Sequence, residues 1–185
     1  MRAAFLVALT CCLVALVRSQ DIDVSALLQE QLNGPAVQNI LSKIPEANQC
    51  RSNSDAFIRS CTQDLIETTS LKTDTATLVG MVNIDNAANT LAIQGTTLAG
   101  FVDGATASDA CCRASCAVAQ QGCMCNAGAW NEMVRLFSGA AGVNGVFSKI
   151  VAKCNTGGRS FQAVMDPGSS TCSADFIPTA KAFTC

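Results

Sequence analysis

The sequence predicts an all-α, single-domain protein held together by disulfides. Three observations carry this. Apolar residues recur at helical spacing through most readable segments of the chain. The composition is 49% hydrophobic and only 14% charged, too apolar for the chain to stay unfolded in water. The chain also has twelve cysteines and no histidine, behind an N-terminus that points to an oxidising compartment.

Residues 1–19 have the layout of a secretory signal peptide. Arg2 is followed by an apolar run from Ala3 to Val17 and a small-residue exit at Val17-Arg18-Ser19. The run is short for a membrane span, and no later segment of the sequence reaches that length. The expected product is a secreted, extracellular chain of residues 20–185 without a stable membrane anchor. About 165 residues suffice for one sizeable core. Loss of Arg2 and Arg18 makes the formal net charge of −2 more negative by two units. An acidic chain poor in Lys and Arg is a poor nucleic-acid binder.

The helices follow in order. Val24, Leu27, Leu28 and Leu32 recur with helical spacing until Gly34-Pro35 interrupts them, and Val37, Ile40, Leu41 and Ile44 repeat the pattern up to Pro45. Residues 53–68 predict an amphipathic helix with Phe57, Ile58, Cys61 and Leu65 on one face and Asn53 or Ser54 as its cap. Residues 70–106 contain no cysteine. Ala88, Leu91, Ala92, Gly95, Leu98 and Val102 fit a helix, while the threonines and the TLVGMVNI stretch lean towards strand; the segment is taken as mostly helical. Ser108 or Asp109 can cap a helix through Cys111, Cys112, Cys116 and Val118, ended at Gln120-Gln121-Gly122. Residues 131–138 predict a short helix with Met133, Leu136 and Phe137 inward. Residues 145–154 predict another, with Val146, Phe147, Ile150 and Val151 on its apolar face and Lys149 and Lys153 opposite. The tail from Ser160 holds one possible helical turn over SFQAVM and otherwise reads as loop. No repeat or linker divides the chain.

Ten cysteines remain beyond the leader: Cys50, Cys61, Cys111, Cys112, Cys116, Cys123, Cys125, Cys154, Cys172 and Cys185. An even number in an oxidising compartment predicts disulfides. A metal site is not expected, because histidine and paired Cys-x-x-Cys knuckles are both missing. A thioredoxin-type redox centre lacks its motif as well.

The order of these residues is more specific than their number. Single Cys50, single Cys61, the adjacent pair Cys111-Cys112, the Cys123-Met124-Cys125 triplet, single Cys154 and single Cys172 resemble the eight-cysteine motif of a plant superfamily. That superfamily comprises non-specific lipid-transfer proteins, α-amylase/trypsin inhibitors and seed storage proteins. The resemblance spans about 50–172. The chain departs from it in the long stretch 62–110, which holds the insertion at about 70–106, in the extra Cys116 and Cys185, and in the residues before Cys50. It looks like a divergent member.

What the resemblance implies is a right-handed bundle of about four core helices, with the N-terminal helices and the insertion added. By the same analogy Cys61 pairs with Cys111, and Cys112 with Cys154. The partner of Cys50 differs between subfamilies. The apolar Met124 is similar to the subfamily in which the middle residue faces a cavity, which favours Cys50–Cys123 and Cys125–Cys172. Cys116 and Cys185 lie outside the motif and are expected to bond each other, clamping the C-terminus beside the helix of Cys112.

The function implied is binding or transfer of an acyl chain, as in a fatty acid or lyso-lipid, or of a sterol, in a cavity that cross-links hold open. Candidate lining residues are Phe57, Leu65, Val118, Met124, Leu136, Phe137, Val146, Phe147, Ile150 and Val151. For any one of them a place in a solid core is the plainer role, since apolar helical stripes are core by default. Arg135, Lys149 or Arg159 are candidates to meet a head group, although a solvated surface charge is the plainer role for each. A second reading is an enzyme inhibitor or defence protein acting through the loop TGGRSF around Arg159. A third is a structural or storage protein of the cell exterior. Catalysis is not expected. Histidine, the commonest acid–base residue, is missing, the carboxylates are scattered, and Ser160 has neither a nucleophile elbow nor a base beside it. No cofactor is implied.

Overall fold

A computed structural model describes residues 34–45, 49–68, 82–85, 90–156, 158–180 and 182–185. The leader and the helix expected over Val24 to Leu32 lie outside these residues. The described chain is an all-α bundle stapled by disulfides, with one small β-ribbon.

Helix α1 (Pro35–Ser42) begins where the sequence suggested a break, because Pro35 occupies its first turn. Proline is tolerated there: its missing N–H has no intrahelical acceptor anyway. Val37, Ile40, Leu41 and the following Ile44 are buried. Helix α2 (Gln49–Thr68) starts earlier than predicted. Asn53 and Ser54 therefore lie inside it rather than capping it. Ser54 shares the inward stripe of Cys50, Phe57 and Cys61, all buried, and its hydroxyl has no hydrogen-bond partner among the described residues.

The segment read as mostly helical is divided where it is described. Strands β1 (Val82–Asp85) and β2 (Thr90–Ile93) form an antiparallel ribbon with Val82 opposite Ile93 and Asp85 opposite Thr90. Residues 70–81 and 86–89 lie outside the described part, and among the described residues of the segment the helix is α3 (Gly95–Gly104), with Leu98, Ala99 and Val102 buried. The strand lean of VNI overrode the helical spacing through Leu91 and Ala92.

Helix α4 (Asp109–Gln120) is the hub. The Ser108 hydroxyl accepts the Cys111 N–H as its N-cap, and Gly122 follows its end at φ 59°, a conformation that suits glycine. Helix α5 (Ala127–Leu136) starts four residues before the predicted one, capped by the Asn126 side chain on the Ala129 N–H at 3.0 Å. Helix α6 (Ala140–Cys154) also starts earlier, after a turn in which Gly139 has φ 127°. Asn126 and Gly139 are the start signals that apolar spacing alone does not weigh.

In the tail the predicted turn over SFQAVM is extended instead. Ser160 bridges Thr184, and Met165 bridges Met124. A single 3-10 turn (Ser170–Cys172) and the short helix α7 (Phe176–Ala180) lie where loop was expected.

Five disulfides join these parts: Cys50–Cys123, Cys61–Cys111, Cys112–Cys154, Cys116–Cys185 and Cys125–Cys172. Four of these are the pairings that the resemblance implied, and Cys116–Cys185 joins the two cysteines outside the motif as expected. Three of the bridges leave α4, to α2, to α6 and to the C-terminus. Helix α4 packs on both α2 and α6, so the cross-links reinforce its helical contacts. Each is worth about 2–4 kcal/mol, mainly by restricting the unfolded chain.

Candidate functional site

The packing geometry leaves a hollow between α2, α3 and α6. Helices α3 and α6 touch backbone to backbone where Gly95 meets Gly142. A Cβ on Gly95 would lie 2.7 Å from the Gly142 Cα and 2.7 Å from the Phe137 carbonyl oxygen, so only glycine fits there. Beside that contact the larger side chains of both helices do not fully interdigitate. They leave a cavity of about 130 Å³.

Its wall is built from each side in turn. Helix α2 supplies Phe57, Ile58 and Leu65, and α3 supplies Leu98 and Val102. Helix α5 and the residue after it supply Met133, Leu136 and Phe137. Helix α6 supplies Val143, Val146, Phe147 and Ile150. The Phe57 and Phe147 rings meet with centroids 4.9 Å apart at 48°. Cys61 and Cys111 also line the space. The bridge that ties α2 to α4, with Cα atoms 4.7 Å apart, is thus part of the wall.

Polar side chains of the lining are limited to Thr62, Asp64, Thr106 and Lys153, all of which reach solvent. They mark the mouth. The segment after α3 crosses it, with Ala105, Thr106 and Ala107 facing the cavity. This segment is fastened on two sides. On the α2 side, Asp64 Oδ2 accepts the Ser108 N–H at 2.6 Å and Thr68 Oγ1 accepts the Thr106 N–H at 3.0 Å. On the α6 side, Lys153 Nζ donates to the Asp103 carbonyl oxygen at 2.7 Å, and Lys149 pairs with the Asp103 carboxylate.

Of the ten lining candidates from the sequence, Phe57, Leu65, Leu136, Phe137, Val146, Phe147 and Ile150 line this cavity. Val118, Met124 and Val151 are buried but do not line it. Met124 lies instead against the tail, through its backbone bridge to Met165. Val151 is one residue round α6 from Ile150, about 100° from the lining face. The head-group candidates are also displaced. Arg135 pairs with Glu132 at 2.9 Å, Lys149 with Asp103, and Arg159 with Asp109, and none of the three lines the cavity. The cation that does line it is Lys153, which sequence reasoning had put on the opposite face of α6. Its position three residues after Ile150 was the available signal, since i and i+3 are neighbours on a helix surface.

Scans against family models, curated proteins and solved structures find no match to this chain. What can be stated of its kind rests on its own geometry: a cysteine-stapled helical bundle with an apolar cavity. Among the described residues no cluster of His, Cys, Asp or Glu is placed to hold a metal ion, and no helix is long and apolar enough to cross a membrane.

The cavity has an energetic consequence. An enclosed void costs about 24 cal/mol per Å³, so 130 Å³ open at its mouth forgoes at most about 3 kcal/mol of packing. One or two of the five bridges offset that at about 2–4 kcal/mol each. An apolar hollow of about 150 Å³ stays dry and accepts a benzene-sized guest, so the space suits a hydrocarbon guest better than water.

Proposed function

We propose that this chain is a secreted binding or carrier protein for a small apolar ligand such as a lipid acyl chain, and a divergent member of the eight-cysteine-motif superfamily. The observation that carries the reading is the cavity itself. Its wall is aliphatic and aromatic, its polar side chains are gathered at the mouth, and a disulfide is built into it. Each methylene moved from water into such a space contributes about 0.8 kcal/mol. The cysteine pairing supports the family assignment, and five bridges favour an oxidising, extracellular location.

The geometry gives less support to inhibition through the Arg159 loop. The guanidinium is folded onto Asp109 and also donates to the Cys185 carbonyl oxygen at 3.2 Å. A side chain presented to a protease pocket has to stand free of its own protein.

Titration of the oxidised chain with a fluorescent fatty acid tests the proposal. Saturable binding at one site, reversed by unlabelled lipid, is expected. A flat titration, or inhibition of trypsin or an amylase without lipid binding, would contradict it.

A further inference from the structure

The dimensions of the cavity and the charges at its mouth restrict the ligand further than apolarity does. A volume of about 130 Å³ is close to that of the cavity of about 150 Å³ that takes one benzene ring. About six carbons fit inside without expansion, far fewer than a long fatty acid carries. The rest of a longer chain would have to leave through the mouth into water, where it gains nothing from the cavity.

The mouth carries one cation and one anion, and their situations differ. Asp64 Oδ2 accepts the Ser108 N–H at 2.6 Å, at the N-terminal end of α4. The positive end of that helix already compensates its charge. Among the described residues the Lys153 ammonium makes one bond, to the carbonyl oxygen of Asp103. The carboxylate of Asp103, the nearest candidate to balance it, goes to Lys149 instead. Among the described residues Lys153 therefore has no carboxylate partner, although its ammonium has three donors. Thr62 and Thr106, the other polar lining residues, are neutral.

Resting on the reading above, the geometry points to a short monocarboxylate of about six to eight carbons as the ligand, with its chain among Phe57, Leu98, Val146 and Phe147 and its carboxylate on Lys153 Nζ. A hydrogen bond between charged groups is stronger than a neutral one. Lys153 thus distinguishes an acid from the alcohol or hydrocarbon of the same length, and the cavity end distinguishes a short chain from a long one.

Calorimetric titration of the full oxidised chain with straight-chain carboxylates from butanoate to hexadecanoate, and with the matching 1-alkanols, tests both halves. Affinity is expected to rise about fourfold per methylene and to level off at about eight carbons. Octanoate is expected to bind more tightly than octanol. Lys153→Met lowers octanoate affinity about tenfold and octanol affinity much less, and retained octanol binding also shows that the variant keeps its cavity. Affinity that climbs steadily to hexadecanoate would overturn the length limit while leaving an apolar-ligand protein intact. Equal loss of octanoate and octanol, or no loss of either, in Lys153→Met would overturn the role of the ammonium. Failure of every acid and alcohol to bind the wild-type chain would remove the binding function itself.

Discussion

Adding methylenes to the cavity wall gives opposite results in a hollow and in a filled core. Val102, Val143 and Val146 all line the space and are at least nine-tenths buried, on α3 and α6. Isoleucine in place of valine adds one methylene and keeps the branched Cβ that fixes the rotamer in a helix. In a void, each added methylene contributes about 0.8 kcal/mol. The triple variant should therefore gain about 2 kcal/mol, within the limit of about 3 kcal/mol of packing that the empty volume forgoes. In a close-packed interior the same additions force side chains off their rotamers at about 1–3 kcal/mol each. Guanidinium unfolding with the disulfides intact reads the sign from the midpoint, provided the slope is unchanged. A raised midpoint together with weaker ligand binding is expected. A lowered midpoint would refute the reasoning, because it would mean there was no room to fill.

Three further outcomes follow from the same structure. Ser54→Ala should stabilise the protein by about 1 kcal/mol in thermal or chemical unfolding, since it removes from a helix interior a fully buried hydroxyl that has no partner among the described residues. Replacing Cys116 and Cys185 together by alanine opens a bridge across 69 residues, and the loop-entropy relation puts its loss at about 4 kcal/mol; hydrogen exchange should rise first around Ser160 and Thr184, which pair at the tethered end. Gly142→Ala should destabilise by more than 2 kcal/mol or so, because the new methyl would overlap the Phe137 carbonyl oxygen and approach the Gly95 Cα to 3.0 Å; recovery of wild-type stability in that variant would show that the helices are free to separate.

Helix interiors were easier to read from the sequence than helix starts. The apolar stripes of α1, α2, α4, α5 and α6 are explicit in the spacing, and the capping hydroxyl of Ser108 is where the cap rule puts it. Three of the starts lie earlier than the spacing suggests: the first turns of α2, α5 and α6 already bury Cys50, Ala129 with Trp130, and Val143, and at α5 and α6 the start is signalled by Asn126 and Gly139 rather than by apolar period. Proline at the head of α1 signals a beginning as readily as an end. The ribbon β1–β2 is hidden in the sequence because short apolar runs fit either period, and the extended run from Ser160 to Met165 fits a helical turn for the same reason. At the site, residues on the helices that face α2 were recognisable from their stripes. Leu98 and Val102 are legible as part of a helical stripe but not as lining, and Val143 as neither, because which parts of two apolar faces stay apart depends on the Gly95–Gly142 contact, and that pairing is tertiary. Lys153 was assigned by charge to the solvent face, yet its long apolar stem can follow the cavity wall while the ammonium stays at the mouth.

Xenon is the most direct probe of whether cross-linked helices enclose empty apolar space, because it enters such cavities without needing a head group or a particular chain length. A crystal of the oxidised chain under xenon pressure should show a bound atom bounded by Phe57, Leu98, Val146 and Phe147. Side chains in contact across that volume, with no xenon between them, would contradict the account.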